Sequence, residues 1–225
     1  MECKNYEVPK IGIFGGTFNP VHLGHLQIAA AALAQFQLQQ VLWFPIQNPA
    51  HKLQPANSAS FEQRVEMLRL ALADQDGLAH AVSCAPSRAP SYAIDMFQSV
   101  EALYPQSQRY WIIGQDALLS LPRWKGRQQI AAGCCWLVAP RSEVIRSQAN
   151  HQANHQAQAA AICQQVEQAM LKQALPIRWQ LIQMPPVLIS SSLIRQRRQQ
   201  ACSIGALVPA AVERYILAHQ LYPAD

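Results

Sequence analysis

"IFGGTFNPVHLGHL", residues 13–26, changes character three times in fourteen residues. It leaves the apolar run KIGIFGG (10–16), which reads as a buried strand, through Gly15 and Gly16. Asn19-Pro20 then makes a turn, and a helix rich in Ala, Leu and Gln opens at about His22 to Leu23 and runs to residue 38. The two glycines allow a ligand to approach the backbone and allow positive φ. The start of the helix offers unpaired N–H groups and the positive end of a dipole, a natural site for phosphate. His22 and His25 are three apart and lie on one side of the first turn, and Gly24 between them gives room for a bulky group. A tight strand-to-helix turn with two incidental histidines would account for the paired glycines, but not for the whole string. The stretch is neither a GxGxxG fingerprint nor a Walker A loop, because no GK[ST] follows.

The same alternation continues along the chain. Further strands are expected over 41–46, 78–85, 109–114, 134–140 and 177–184. Helices are expected over 61–74, 91–103, 191–199 and 209–219. The first has apolar residues at 61, 65, 68, 71 and 72, one helical face, with Ser60 and Gln63 as a capping box. Ser91 opens the second and Pro209 the last. A loop rich in Pro, Asn and Ser fills 46–60. Strands alternating with helices of this length imply βαβ units. The fold class is therefore α/β: a Rossmann-like, doubly wound, mostly parallel sheet with helices on both faces and a small C-terminal helical part over 186–225, all in one domain. Ligands in such sheets sit beyond the carboxyl ends of the strands, where the strand order switches. The quoted stretch falls there, just after the first strand.

Composition narrows the function. Of 225 residues, 50% are hydrophobic and 14% charged, which is a globular balance and not a disordered one. The net charge of +5 suits anionic ligands but is too diffuse for nucleic acid, and no basic and aromatic residues interleave. No apolar run approaches the roughly 20 residues that span a bilayer, so no membrane partner is expected. MECKNYEVPK (1–10) is not a secretory signal. Cys3, Cys84, Cys134, Cys135, Cys163 and Cys202 show no CxxC spacing and read as reduced thiols in a cytoplasmic protein. Residues 143–175 are low in complexity and read as a helical insertion or lid over one edge. His151 and His155 there are four apart, but no third ligand stands nearby, and a solvated Gln/His helix face explains them.

GGTFNPVHLGH (15–25) resembles the T/HxGH signature of the nucleotidylyltransferase superfamily. Within it the chain is similar to the family of bacterial nicotinate-nucleotide (nicotinate mononucleotide) adenylyltransferases. Five further stretches carry the resemblance in the same order: NPAHK (48–52), RAPSYAID (88–95), IIGQDALLSLPRW (112–124), ISSSLIRQR (189–197) and LVPAAVERYILAHQLY (207–222). Only 143–175 stands apart from it.

The resemblance implies transfer of the adenylyl group of ATP to nicotinate mononucleotide, giving nicotinate adenine dinucleotide and pyrophosphate. Such a reaction suits these residues. The attacking phosphate oxygen is already ionised and needs no general base or Ser or Cys nucleophile. The protein has only to align two polyanions and neutralise charge at the α-phosphorus. The resemblance makes His22, His25 and Arg195 the catalytic groups. ATP would lie against Gly15, Gly16, Thr17, Phe18, His22 and His25, with Arg195, Ser190, Ser191 and Ile194 toward its β- and γ-phosphates. The mononucleotide would meet Phe14, Gly15, Asn48, Lys52, Ser91, Tyr92, Ala93, Gly114, Asp116 and Trp124. There Trp124 would stack on the pyridine ring, backbone N–H groups near Tyr92 and Ala93 would hold its carboxylate, and Asp116 would accept from a ribose hydroxyl. No protein metal site is expected, since Mg2+ would arrive with ATP. Three departures from the family pattern stand at Asn19 (commonly Asp), Ala50 (commonly Pro) and Ala93 (commonly Thr). The partners expected are these small molecules, and a homo-oligomer is compatible with the sequence. The rival readings are nicotinamide mononucleotide as the preferred substrate, another nucleotidylyltransferase such as a phosphopantetheine adenylyltransferase or a cytidylyltransferase, and a non-catalytic nucleotide sensor.

Overall fold

The computed structural model describes residues 8–47, 58–73, 75, 92–140, 151–185 and 187–224, with backbone alone over 151–154. The strand expected over 78–85 lies outside the described residues. Among the described residues five strands form one parallel sheet: β1 (Lys10–Gly16), β2 (Gln40–Pro45), β3 (Gln108–Gly114), β4 (Cys134–Ala139) and β5 (Arg178–Leu181), in the order β2-β1-β3-β4-β5. The chain steps from β1 outward to β2, returns to the other side of β1 for β3, and continues outward. The order therefore switches between β1 and β3, which pair with Phe14 opposite Ile112.

Each strand of the sheet centre is apolar on both sides because each side is covered. One core holds Phe14, Val41 and Trp43 of the sheet. It also takes Leu26, Ala29 and Ala32 of α1 (Leu23–Phe36), Met67, Leu68 and Ala71 of α2 (Phe61–Leu72), Ile194 of α7 (Ser191–Gln199) and Val212 and Ile216 of α8 (Ala210–Ala218). The opposite core holds Ile11, Ile13, Leu42 and Phe44. Against them lie Met96 and Phe97 of α3 (Ala93–Leu103), Leu118 of α4 (Gln115–Leu118), Ile130 of α5 (Arg127–Gly133) and Cys163, Val166 and Met170 of α6 (His151–Leu171). The period-two alternation of β1 and β2 divides their side chains between these two layers.

Several boundaries differ from expectation. Helix α1 stops at Phe36, not 38, because Gln37 turns left-handed (φ 53°) and closes the helix with its N–H on Leu33. Helix α3 is capped at Tyr92, not Ser91: its N–H donates to Asp95 Oδ2 at 3.1 Å. The Ser60–Gln63 capping box forms as expected. Strand β5 spans four residues rather than eight, since the chain leaves the sheet after the Ile182 N–H reaches Val138 O. Residues 151–171 form a helix whose Cys163, Val166 and Met170 are buried in the core. Burial pushes the thiols of Cys134 and Cys163 up to about 12, which keeps them as inert filler.

Candidate active site

Three elements meet at the carboxyl end of β1. The strand runs through both glycines, with Gly15 beside Phe44 and Gly16 beside Pro45 of β2. Neither glycine takes positive φ; the left-handed residue of this bend is Phe18, at φ 47°. The missing Cβ atoms matter for space instead. A Cβ on Gly16 would lie 2.9 Å from the Phe18 ring, and one on Gly15 would lie 3.1 Å from the Met96 sulfur of α3. Gly24 does not leave room for a ligand, as the sequence suggested, because a Cβ there would run into the Val187 side chain.

The two histidines form a stacked pair. Their ring centroids are 3.6 Å apart and the planes 26° from parallel. His22 caps α1, and its N–H donates to His25 Nδ1 at 3.2 Å. A neutral His25 therefore carries its proton on Nε2. Burial lowers the His22 pKa to about 3 and leaves its Nδ1 without a hydrogen-bond partner among the described residues. Burial first, and the charge of His22 second, hold His25 well below the usual imidazole range. Both rings are thus neutral N–H donors near pH 7, with Phe14 and Phe18 edge-on to His25 at 6.1 and 5.1 Å.

The chain's far end fastens this bend. The Asn19–Pro20 peptide is cis. Arg195 Nη1 donates to Asn19 O at 2.8 Å and its Nη2 to Ser192 Oγ at 3.2 Å. Ser191 Oγ donates to Pro20 O at 2.9 Å, and Tyr222 OH donates to Asn19 Oδ1 at 2.7 Å. Ser190 caps α7 by accepting from Leu193 N–H. Ile194 is fully buried and its N–H donates to Ser190 O, so its side chain supports α7 from within the core. Phe14 and Phe18 are likewise core residues beneath the bend. Sequence reasoning missed Arg64. It is 1% exposed, and its guanidinium donates to Thr17 O (2.6 Å), Ile46 O (2.8 Å) and Gln47 O (3.2 Å), joining the loops that leave β1 and β2. Its spacing from Leu68 and Ala71 places it on the buried face of α2, a signal present in the sequence.

Across the strand-order switch stands a second wall. Gly114 ends β3, and none of the described residues outside its chain neighbours lies within 4 Å of the space a Cβ would take there. Asp116 follows on α4, exposed, with α4 capped by Gly114. Trp124 ends a 3-10 turn over Leu121–Arg123. It is half-buried, edge-on to Trp111 and Trp136, and its indole N–H donates to Ser120 Oγ at 2.8 Å. Part of its ring is therefore packed into the core. Tyr92 and Ala93 begin α3, one turn before Met96, which touches Gly15's open side. The two walls thus meet at Gly15. Asn48, Lys52 and Ser91 lie outside the described residues. Among the described residues no three His, Cys, Asp or Glu side chains converge as metal ligands, and no helix is long and apolar enough to cross a membrane.

Comparison with known proteins accords with this geometry. The sequence pattern of the cytidylyltransferase-like family matches residues 13–197. A Nostoc sp. (strain PCC 7120) protein named probable nicotinate-nucleotide adenylyltransferase is 41% identical over 96% of this chain and 98% of its own. The chain belongs to the nicotinate-nucleotide adenylyltransferase family. A similarly named protein of Carboxydothermus hydrogenoformans, another member, is 34% identical over 95% of this chain and 98% of its own. Among solved structures, Plasmodium falciparum nicotinic acid mononucleotide adenylyltransferase complexed with NaAD superposes with a TM-score of 0.70 at 15% identity. It covers 95% of this chain and 97% of that one. At that identity the likeness speaks for the fold. Membership makes the chain a nucleotidyltransferase with a Rossmann-like sheet.

Proposed function

We propose that this protein transfers the adenylyl group of ATP to nicotinate mononucleotide, releasing pyrophosphate, as a step of NAD biosynthesis. The observation that carries the reading is full-length likeness to adenylyltransferases of that name, and the stacked imidazole pair supplies a chemistry for it. A phosphate oxygen of the mononucleotide attacks the α-phosphorus. The bond from that phosphorus to the bridging oxygen breaks, and pyrophosphate leaves with the electron pair. His22 and His25 donate N–H bonds to the α-phosphate oxygens as charge gathers there. Their depressed basicity is a property of the unliganded pocket, and an arriving polyanion favours the protonated rings. Arg195 commits two N–H groups to Asn19 and Ser192 and keeps the rest of its five donors for the β- and γ-phosphates.

The mononucleotide occupies the second wall, with its pyridine against Trp124, its ribose toward Asp116 and Gly114, and Asn48, Lys52 and Ser91 completing that side. Magnesium enters bound to ATP as part of the substrate. The enzyme works in the cytoplasm as one domain and is compatible with homo-oligomeric assembly. Pyrophosphate release on mixing the protein with ATP, magnesium and nicotinate mononucleotide tests the activity. Stoichiometric pyrophosphate and dinucleotide are expected. No release with either the acid or the amide mononucleotide would leave only a nucleotide-binding protein.

A further inference from the structure

A ring on which a flat ligand stacks must be fixed in two respects: where its backbone stands and how the ring is turned. The backbone of Trp124 is held from both sides. Its N–H donates to Leu121 O at 3.0 Å, and its carbonyl accepts from Arg127 Nη1 at 3.4 Å. Arg127 Nε donates in turn to Gln173 Oε1 at 2.7 Å, and Gln173 Nε2 donates to Pro122 O at 3.4 Å. Gln173 lies just past the end of α6, so that helix braces the turn.

The ring itself is held by a chain of two hydrogen bonds. Ser120 Oγ donates to Ala117 O at 2.6 Å and accepts from the Trp124 indole N–H at 2.8 Å. The direction of the chain is forced. An indole N–H can only donate, and the single hydroxyl proton of Ser120 is committed to the carbonyl. Trp111 and Trp136 meet the indole edge-on, with centroids 5.7 and 5.9 Å away, and hold its apolar part. The half-buried ring thus has one orientation before any ligand arrives. Ala117 adjoins Asp116, so the same chain ties the surface for the pyridine to the segment that carries the proposed ribose acceptor. We infer that Ser120 is a positioning residue for the mononucleotide, its hydroxyl presetting the Trp124 ring for stacking. This rests on the proposed placement of the pyridine against Trp124. Ordering a side chain during binding costs affinity, and a ring ordered beforehand avoids that cost. Ser120 acts through Trp124, so it serves mononucleotide binding and not the transfer step.

The test is a double-mutant cycle of Ser120→Ala and Trp124→Phe, which keeps a flat ring but has no N–H to donate. For each member kcat and KM are measured for nicotinate mononucleotide and for magnesium–ATP, with circular dichroism as the check on folding. Ser120→Ala alone should raise KM for the mononucleotide about two- to tenfold, as befits one side chain left to be ordered on binding, with kcat and KM for ATP unchanged. In the Trp124→Phe background the same change should have no further effect, and Ser120→Thr, which keeps the hydroxyl, should behave as the unaltered protein. In a spectrum of the 15N-labelled tryptophan side chains, the N–H signal that Trp124→Phe removes should move in Ser120→Ala. Equal effects of Ser120→Ala in both backgrounds, an unchanged KM for the mononucleotide, or an unmoved N–H signal would overturn the assignment. Trp124→Ala with an unaltered KM for the mononucleotide would instead defeat the placement of the pyridine, and this role with it. An unaltered protein that makes no dinucleotide would defeat the proposed activity, so the failures are distinguishable.

Discussion

Tyr222 OH donates to the Asn19 side-chain oxygen at 2.7 Å, with both residues buried, across 203 positions of sequence. The contact ties the last described turns of the chain to the bend that presents the histidines. Tyr222→Phe keeps the ring and leaves Asn19 Oδ1 buried without its donor, at a cost of about 1–3 kcal/mol. The urea midpoint should fall accordingly. An unchanged midpoint would mean that the bend is secured without this bond.

Gly24→Ala should destabilise for a different reason. The added methyl enters the space of the Val187 side chain, and such overpacking costs about 1–3 kcal/mol. Val187→Ala in the same chain should recover most of that loss, as measured by chemical denaturation of the four members of the cycle. Additive losses would show that the two side chains do not compete for one space.

His22→Ala removes one of the two N–H donors proposed for the α-phosphate. The expected result is a fall in kcat of two to three orders of magnitude, roughly the effect of losing one oxyanion donor, with KM for ATP little altered and the circular dichroism spectrum retained. Near-normal turnover would place the chemistry elsewhere.

The histidine pair also predicts a pH dependence of stability. Burial holds the folded-state pKa of His22 at about 3, below the ordinary 6.5, and lowers His25 as well. Between those values the unfolded chain binds more protons than the folded one. Their contribution is complete above about pH 6.5 and is lost as pH falls toward 3. The loss is at most about 1.4 kcal/mol per pH unit for each ring. Denaturation midpoints at pH 7.5, 6 and 5 should fall, and should fall less steeply in His22→Ala. Equal slopes would show that the buried rings do not govern acid sensitivity.

The two-layer sheet was legible because strands such as KIGIFGG and VLWFP are apolar on both sides and the helices between them keep a helical period. Helices α4 and α5 were not, since four and seven residues are too few to display one. The end of α1 escaped because a left-handed glutamine at 37 carries no glycine-like mark. In the site, His22, His25 and Arg195 stood out through local spacing and motif. Arg64 did not: an arginine on an amphipathic helix is ordinarily solvated, and only the backbone carbonyls of distant loops make its burial favourable. Gly24 was misread because the residue that fills its space, Val187, lies 163 positions on, and short-range pattern carries no information about such a pairing.

The most direct test of the account is a crystal of the protein soaked with nicotinate adenine dinucleotide. The adenylate phosphorus should lie within hydrogen-bonding reach of His22 and His25, over the backbone of Gly15 and Gly16, with the pyridine on the Trp124 side of the strand-order switch. Density that put the adenylate phosphate beyond reach of both imidazoles would contradict it.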